Sequence, residues 1–327
     1  MKNPFVTNGY VSPEYFCDRE KETAKIVSLL TNENNIALIS PRRLGKTDLL
    51  RHCFGQPEIK EHYHTFIIDI YATSSVRDFV NVFGKAVLDE LRPKGKSVWG
   101  TFLNVLASLR SEITFDMNGQ PTWGIGLGAI TNPSATLDEI FSYLNNAGKP
   151  CLIAIDEFQQ ITKYADDPNI EAALRTHIQR CSNAHFVFSG SHRHLMGAMF
   201  TSPARPFYQS VTLINLPPIS VDKYVEFCLK HFERASKRLD TLVVTELYER
   251  FNGITSYMQK VMNILFSMTG TGEICIPSMI DTAINDLLDF SADTYDALLY
   301  QMPEKQRIVF MAVSYTHLRA HETSQDL

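Results

Sequence analysis

The chain has no paired cysteines, no long apolar run and no excess of basic charge. Cys17, Cys53, Cys151, Cys181, Cys228 and Cys275 stand singly, with neither a C-x-x-C pair nor a zinc-ligand spacing, which excludes the common redox and zinc-ribbon frameworks. Cys151 lies beside Leu152 and Ile153, so these thiols read as small buried hydrophobes in a reducing compartment. No stretch has the length of uninterrupted apolar sequence that a bilayer span needs. The segment Met1–Tyr10 carries one lysine and no apolar centre, so no secretory signal is visible. The expectation is a cytoplasmic protein without a membrane partner. With 31 basic against 36 acidic residues the net charge is -5, which excludes the chain-wide basic character of a dedicated nucleic-acid binder and leaves room only for a local patch.

What is present is ordinary globular composition over 327 residues, enough for two domains. Short apolar runs recur at Ile36–Ile39, Thr65–Ile70, Cys151–Ile155, His185–Ser189 and Ser210–Leu213. Runs this short and uniformly apolar suit strands buried on both faces of a parallel sheet. Helical patterns separate them at Lys21–Leu30, Lys46–Cys53, Val76–Leu91, Leu137–Asn145 and Asn169–Gln179. The alternation predicts a doubly wound α/β fold over residues 1–216. Pro217 and Pro218 then break the chain, and no strong strand run follows. Val221–Arg234, Thr241–Asn252, Tyr257–Met268 and Pro277–Phe290 read as amphipathic helices, an all-helical second domain over residues 217–300. An insert at residues 113–130 alternates loosely around Asn118-Gly119, a hairpin signal. Its Gly124, Gly126 and Gly128 imitate a dinucleotide fingerprint but lack the helix and acidic residue that should follow, so a glycine-bearing hairpin is preferred.

The chemistry sits at three strand ends. Ser40-Pro41-Arg42-Arg43-Leu44-Gly45-Lys46-Thr47 follows one strand directly and opens a helix at Asp48. Such a loop wraps phosphates in backbone N–H groups and aims a helix N-terminus at them. Lys46 supplies a cation for the β- and γ-phosphates, and the Thr47 hydroxyl is placed for Mg²⁺. Ser40 stands where the phosphate-loop pattern has its first glycine, while Gly45 keeps the second. Arg42 and Arg43 add local positive charge, or simply face solvent. A second strand ends in Asp156-Glu157: Asp156 would hold the Mg²⁺ shell and Glu157 would orient and deprotonate the attacking water. A third strand ends in Gly190-Ser191-His192, where Ser191, then Ser189 and His192, are candidates to meet the γ-phosphate or the water; a plain strand-ending turn is the competing reading.

Taken together, ISPRRLGKT, LIAIDEFQQI, FVFSGSHRHLM and RPFYQSVTLINLPPI resemble AAA+-type P-loop ATPases of the STAND group, in particular small prokaryotic ATPases of archaeal type. The resemblance runs from about Phe16 to about Ala312. It implies an extra strand between the phosphate-loop strand and the Asp-Glu strand, a helical lid, and then a winged-helix domain. It also implies that Phe16-Cys17-Asp18-Arg19-Glu20 lies near the adenine, with Asp18 in place of a glycine and Arg19 as a binding residue. Arg205 is similar to an arginine that acts within or across subunits on the γ-phosphate, and the second of these alternatives implies a homo-oligomer. Gly253-Ile254-Thr255 matches a Gly-x-Pro at the start of a lid helix, with Thr255 for proline. Glu304–Ala312, within residues 301–312, resembles the first helix of the winged-helix domain, and residues 313–327 resemble an adapter-derived tail rather than protein sequence. His317 and His321 have a metal-compatible spacing there but no third ligand.

Three functions follow: an ATP-hydrolysing conformational switch with an unidentified protein partner, a nucleotide-binding scaffold with little turnover, or a DNA-linked ATPase whose DNA-reading domain lies outside this chain. Glu157 favours turnover. The absence of a basic stripe argues against DNA binding by this chain itself.

Overall fold

The computed structural model describes residues 2–91, 113–115, 121–123 and 133–313. In chain order these form α1 (Glu20–Thr31), β1 (Ile36–Ile39), α2 (Lys46–Phe54), α3 (Pro57–His62), β2 (His64–Asp69), α4 (Val76–Glu90), β3 (Ile113–Phe115), β4 (Pro121–Trp123), α5 (Pro133–Asn145), β5 (Cys151–Asp156), α6 (Ile170–Arg180), β6 (Ala184–Gly190), α7 (Arg193–Thr201) and β7 (Thr212–Asn215). The chain continues with α8 (Val221–Arg234), β8 (Arg238–Leu239), α9 (Thr241–Arg250), α10 (Thr255–Met268), β9 (Ile274–Cys275), α11 (Ile280–Gln301) and a last helix, α12, over residues 304–313.

Five strands make one parallel sheet in the order β2-β5-β6-β1-β7. Every residue of β1, β5 and β6 is buried, which is why these segments read as uninterrupted apolar runs. The edge strands β2 and β7 are only partly buried, and their sequences are correspondingly mixed. β6 lies between β1 and β5, so the implied extra strand is present, and it brings three strand ends side by side. The sheet divides two cores. One face packs α4, α5 and α6 through residues such as Phe83, Phe141 and Leu174; the other packs α1 and α2 through Ile26, Leu30 and Leu50. Each such side chain contributes about 1.5–3 kcal/mol by leaving water. An aromatic group then anchors the segment after β5: Phe158, at 0% exposure, meets Phe188 at 4.4 Å and Phe207 at 5.4 Å between ring centroids.

The observed bounds differ from the sequence reading in places with visible causes. β7 starts at Thr212 rather than Ser210, because Ser210 first closes a turn, its N–H and hydroxyl both donating to the Phe207 carbonyl at 3.1 and 2.7 Å. α11 continues well past Phe290 to Gln301, where nothing in the sequence breaks it before Pro303. The helical part also contains a short parallel pair, β8 with β9, whose Leu239 and Cys275 enter its core. Of the insert, β3 and β4 pair antiparallel with Ile113 opposite Trp123, as a hairpin requires. Asn118, Gly119, Gly124, Gly126, Gly128 and the tail with His317 and His321 lie outside the described residues.

The helical part has its own core, and the N-terminal segment belongs to it. Phe5, at 0% exposure, packs against Phe227, Phe232 and Phe266, while Asn263 Nδ2 donates to the Phe5 carbonyl at 2.7 Å. Tyr10, five residues on, reaches the sheet domain, its hydroxyl 3.0 Å from His52 Nδ1 on α2. The first residues therefore strap the helical part to the sheet part, and Val6, Thr7, Gly9, Tyr10 and Val11 among them line the cleft described next.

Candidate functional site

β1 ends at Ile39, and the chain reverses through Ser40–Gly45 before α2 begins at Lys46. Two left-handed residues make the reversal, Arg43 at φ 70° and Gly45 at φ 82°. At Gly45 the strain falls on the residue best able to take it. Ser40, which replaces the expected glycine, is fully buried beneath the loop: its N–H lies 3.4 Å from the Gly190 carbonyl and its hydroxyl donates to the Pro41 carbonyl. The small polar residue is thus accommodated as an extension of the β1–β6 ladder. Lys46 is 7% exposed, with Nζ donating to the Ser40 and Pro41 carbonyls at 3.2 and 3.3 Å. Burial pushes its ammonium below the usual lysine range, and the nearby carboxylates of Asp156 and Glu157 pull it back.

Asp156 ends β5 next to this loop. Its Oδ2 accepts from Thr47 Oγ1 at 2.5 Å, and its Oδ1 accepts from Ser189 Oγ at 2.7 Å and the Glu157 N–H at 3.0 Å. Glu157 is left-handed at φ 54°, a conformation that costs a non-glycine residue about 1–3 kcal/mol and recurs at functional sites. Its Oε2 accepts from Ser191 Oγ at 2.9 Å and Gln159 Nε2 at 2.5 Å. Arg42 Nε lies 3.4 Å from Ser191 Oγ, with its guanidinium 5.6 Å from the centre of the Tyr71 ring.

Above these groups lies a cleft of about 520 Å³, within the size range of small-molecule sites. Arg42, Arg43, Leu44, Gly45, Lys46, Thr47, Asp48, Arg19, Asp156 and Glu157, all expected at the site, line it together. Its far end is closed by Phe16 and Cys17 from the N-terminal segment and by Ile219 and Gln259 from the helical part. Arg19 is 3% exposed and fastens this end, donating to Glu22 Oε1 at 2.9 Å and to the Pro217 carbonyl at 2.7 Å. Asp18 before it is left-handed at φ 56°, so a glycine is at home in that position and aspartate is among the few residues that tolerate it. The helical part touches the phosphate loop directly: Ser256 N–H donates to the Arg43 carbonyl at 3.1 Å, and the Arg43 guanidinium lies 4.9 Å from the Tyr257 ring centre. Thr255 opens α10 at the same edge of the cleft.

Six expected residues do not line the cleft: Ser40 and Pro41 accept from Lys46 Nζ through their carbonyls, Ser189 donates to Asp156 Oδ1, and Ser191, His192 and Arg205 lie elsewhere. Ser191 stands behind Glu157 rather than on the cleft wall, and His192 is exposed at the start of α7. Arg205 is outside the cleft of its own chain and forms an ion pair with Glu171 on α6. Sequence reasoning missed Gln159, Ser256, Tyr257 and Gln259. Gln159 follows the Asp-Glu pair within three residues and was the most accessible of them, but a 3₁₀ turn over Phe158–Lys163, which folds it back on Glu157, has no sequence signature.

Thr47 and Asp156 bring a hydroxyl and a carboxylate oxygen to one point beside the lysine, a donor set for a small hard cation that draws its other ligands from phosphate and water. Their short mutual contact is one that such a cation would replace, so these residues fit Mg²⁺.

A parallel sheet with a strand–loop–helix phosphate cradle and a carboxylate pair on the second strand from it defines a Walker-type P-loop ATPase of the AAA+ kind. A family described as "ATPase domain predominantly from Archaea" matches residues 16–261, and the chain belongs to it. Among solved structures it is similar to the Walker-type ATPase PABY2304 of Pyrococcus abyssi, at 18% identity and TM-score 0.61, covering 91% of this chain and 79% of that one. The ORC1 protein of Aeropyrum pernix, solved in complex with DNA, matches at 12% identity and TM-score 0.61 over 96% of this chain and 76% of its own. The Aeropyrum pernix ORC2 protein matches at 14% identity and TM-score 0.57 over 87% and 71%. At these identities the likeness is one of fold. No curated protein matches the chain.

The Arg205–Glu171 pair carries a first prediction. Glu171 is 8% exposed, and burial raises its carboxyl against the lowering effect of Arg205. Arg205→Ala leaves that carboxylate buried and unpaired, at a cost of about 2 kcal/mol. The expected result is a thermal midpoint lower by several degrees, restored in part by adding Glu171→Gln. A melting curve identical to wild type would show that the pair contributes nothing.

Proposed function

We propose that the chain binds ATP with Mg²⁺ in this cleft, hydrolyses it, and uses the nucleotide state to set the position of its helical lid, as a switch of the STAND type. The observation that supports this best is the convergence of Lys46, the Thr47–Asp156 pair and Glu157 on one wall of a cleft whose opposite edge is made by the lid. Lys46 holds the β- and γ-phosphates, exchanging its bonds to Ser40 and Pro41 for phosphate oxygens. Thr47 and Asp156 hold the cation, which neutralises charge developing on the phosphates when bound. Glu157 accepts the proton of the attacking water. Phe16, Ile219 and Gln259, which line the cleft, would hold the adenine. Because Ser256 and Tyr257 grip the phosphate loop at Arg43, a loop reshaped by ATP and then by ADP shifts the grip and with it the lid.

The test is phosphate release from ATP by the purified chain. Turnover with Mg²⁺, stopped by chelation with EDTA, is expected. Tight ATP binding without phosphate release in Mg²⁺ would instead establish the nucleotide-binding scaffold. Arg205, free of its own chain's cleft, is placed by this reading at a neighbouring copy's γ-phosphate. Turnover per chain then rises with protein concentration, and a constant rate with a monomeric mass would remove Arg205 from the mechanism.

A further inference from the structure

Gln159 is 3% exposed, and the two ends of its amide are treated differently. Nε2 donates to Glu157 Oε2 at 2.5 Å, whereas Oε1 is buried with no hydrogen-bond partner. The orientation of the amide is not free: a carboxylate only accepts, so the NH₂ group must face Glu157. A buried acceptor without a partner is costly, and an apolar side chain of the same size would avoid that cost. The residue is therefore explained by its other end, the bond to Glu157. The fit around it is tight. A Cβ on Gly190, at the end of β6, would stand 2.4 Å from Gln159 Oε1 and 2.6 Å from Met196, so the glycine leaves the space in which the amide lies.

The second bond to Glu157 comes from Ser191 and lands on the same oxygen. Oε2 thus accepts from two donors on two different elements, while among the described residues no hydrogen bond reaches Oε1. The carboxylate of Glu157, a residue that lines the cleft, is therefore held through one oxygen, which leaves the other without a hydrogen-bond partner among the described residues.

We infer that Gln159 is the positioning residue of the reaction: its buried amide, seated under Gly190, fixes the Glu157 carboxylate so that Oε1 faces the water to be activated. This rests on the reading of Glu157 as the base. Gln159 touches neither phosphate nor cation; it acts through Glu157 alone. Its loss lets the carboxylate turn away from the cleft while the phosphate loop and cation ligands stay as they are.

The experiment is steady-state ATP hydrolysis by Gln159→Met, which keeps the length and loses the donor, with Glu157→Gln and the double variant alongside. For Gln159→Met the expected result is a kcat lower by about 10-fold, within the range of a displaced general base, with KM for ATP unchanged within about twofold. In the Glu157→Gln background the same change has no further effect, because the group it positions is already inactive. If Gln159→Met folds poorly, Gln159→Leu repeats the comparison, with ATP affinity measured by titration as the check on a folded site. A wild-type kcat in a folded variant overturns the inference, as does an equal loss of kcat in both backgrounds or a loss carried by KM. Full turnover by Glu157→Gln alone is a different failure: it refutes the base itself.

Discussion

Lys46→Ala is expected to bind ATP at least about 100-fold more weakly than wild type, a loss of about 2.7 kcal/mol. Lys46 is the cation inside the phosphate loop; Arg42 is occupied with Ser191 and Tyr71, and Arg43 with Tyr257. A charge-assisted bond to phosphate is worth roughly twice a neutral one, and Lys46 can make two such bonds in place of those to the Ser40 and Pro41 carbonyls. The fold should tolerate the change. Burial already disfavours the ammonium, so its removal relieves a desolvation cost while two carbonyls lose a donor. Titration with a fluorescent ATP analogue, beside a thermal melt, separates these effects. Equal affinity in a folded variant would mean that this loop is not where the phosphates bind.

How much of this was legible in the sequence follows burial. β1, β5 and β6 are enclosed on both faces, so their composition is uniformly apolar and their positions could be read to within a residue or two. β7 lies at the sheet edge, where composition is mixed, and its start was misplaced by the turn at Ser210. Lys46, Thr47, Asp156 and Glu157 were readable because strand ends and a helix start fix them, and the parallel register then brings them together. What could not be read depends on long-range geometry. The pairing of Arg205 with Glu171 joins residues 34 apart in sequence through α6 and the turn after α7. The contact of Ser256 and Tyr257 with Arg43 depends on how the helical part packs on the sheet part, which local patterning does not encode. The N-terminal strap was invisible for the same reason: Phe5 looks like any isolated aromatic until its three phenylalanine neighbours are placed around it.

Glu157→Gln should separate binding from chemistry. The substitution keeps length and shape, and the left-handed backbone at φ 54° is no worse for glutamine than for glutamate. The hydrogen bonds decide which way the new amide lies. Ser191 and Gln159 both donate to the position of Oε2, so the amide oxygen settles there and the NH₂ group takes the position of Oε1. An acceptor is thereby replaced by a donor at the point where the water's proton must go. Lys46, Thr47 and Asp156 keep their places, so ATP affinity should stay within about threefold of wild type, near 0.6 kcal/mol. Turnover should fall by about 10²-fold or more, the usual contribution of a positioned general base. Phosphate release under single-turnover conditions, with affinity measured on the same preparation, gives both numbers. Hydrolysis at the wild-type rate would show that Glu157 is not the base. Loss of binding together with turnover would show that its carboxylate serves to hold the nucleotide rather than to activate water.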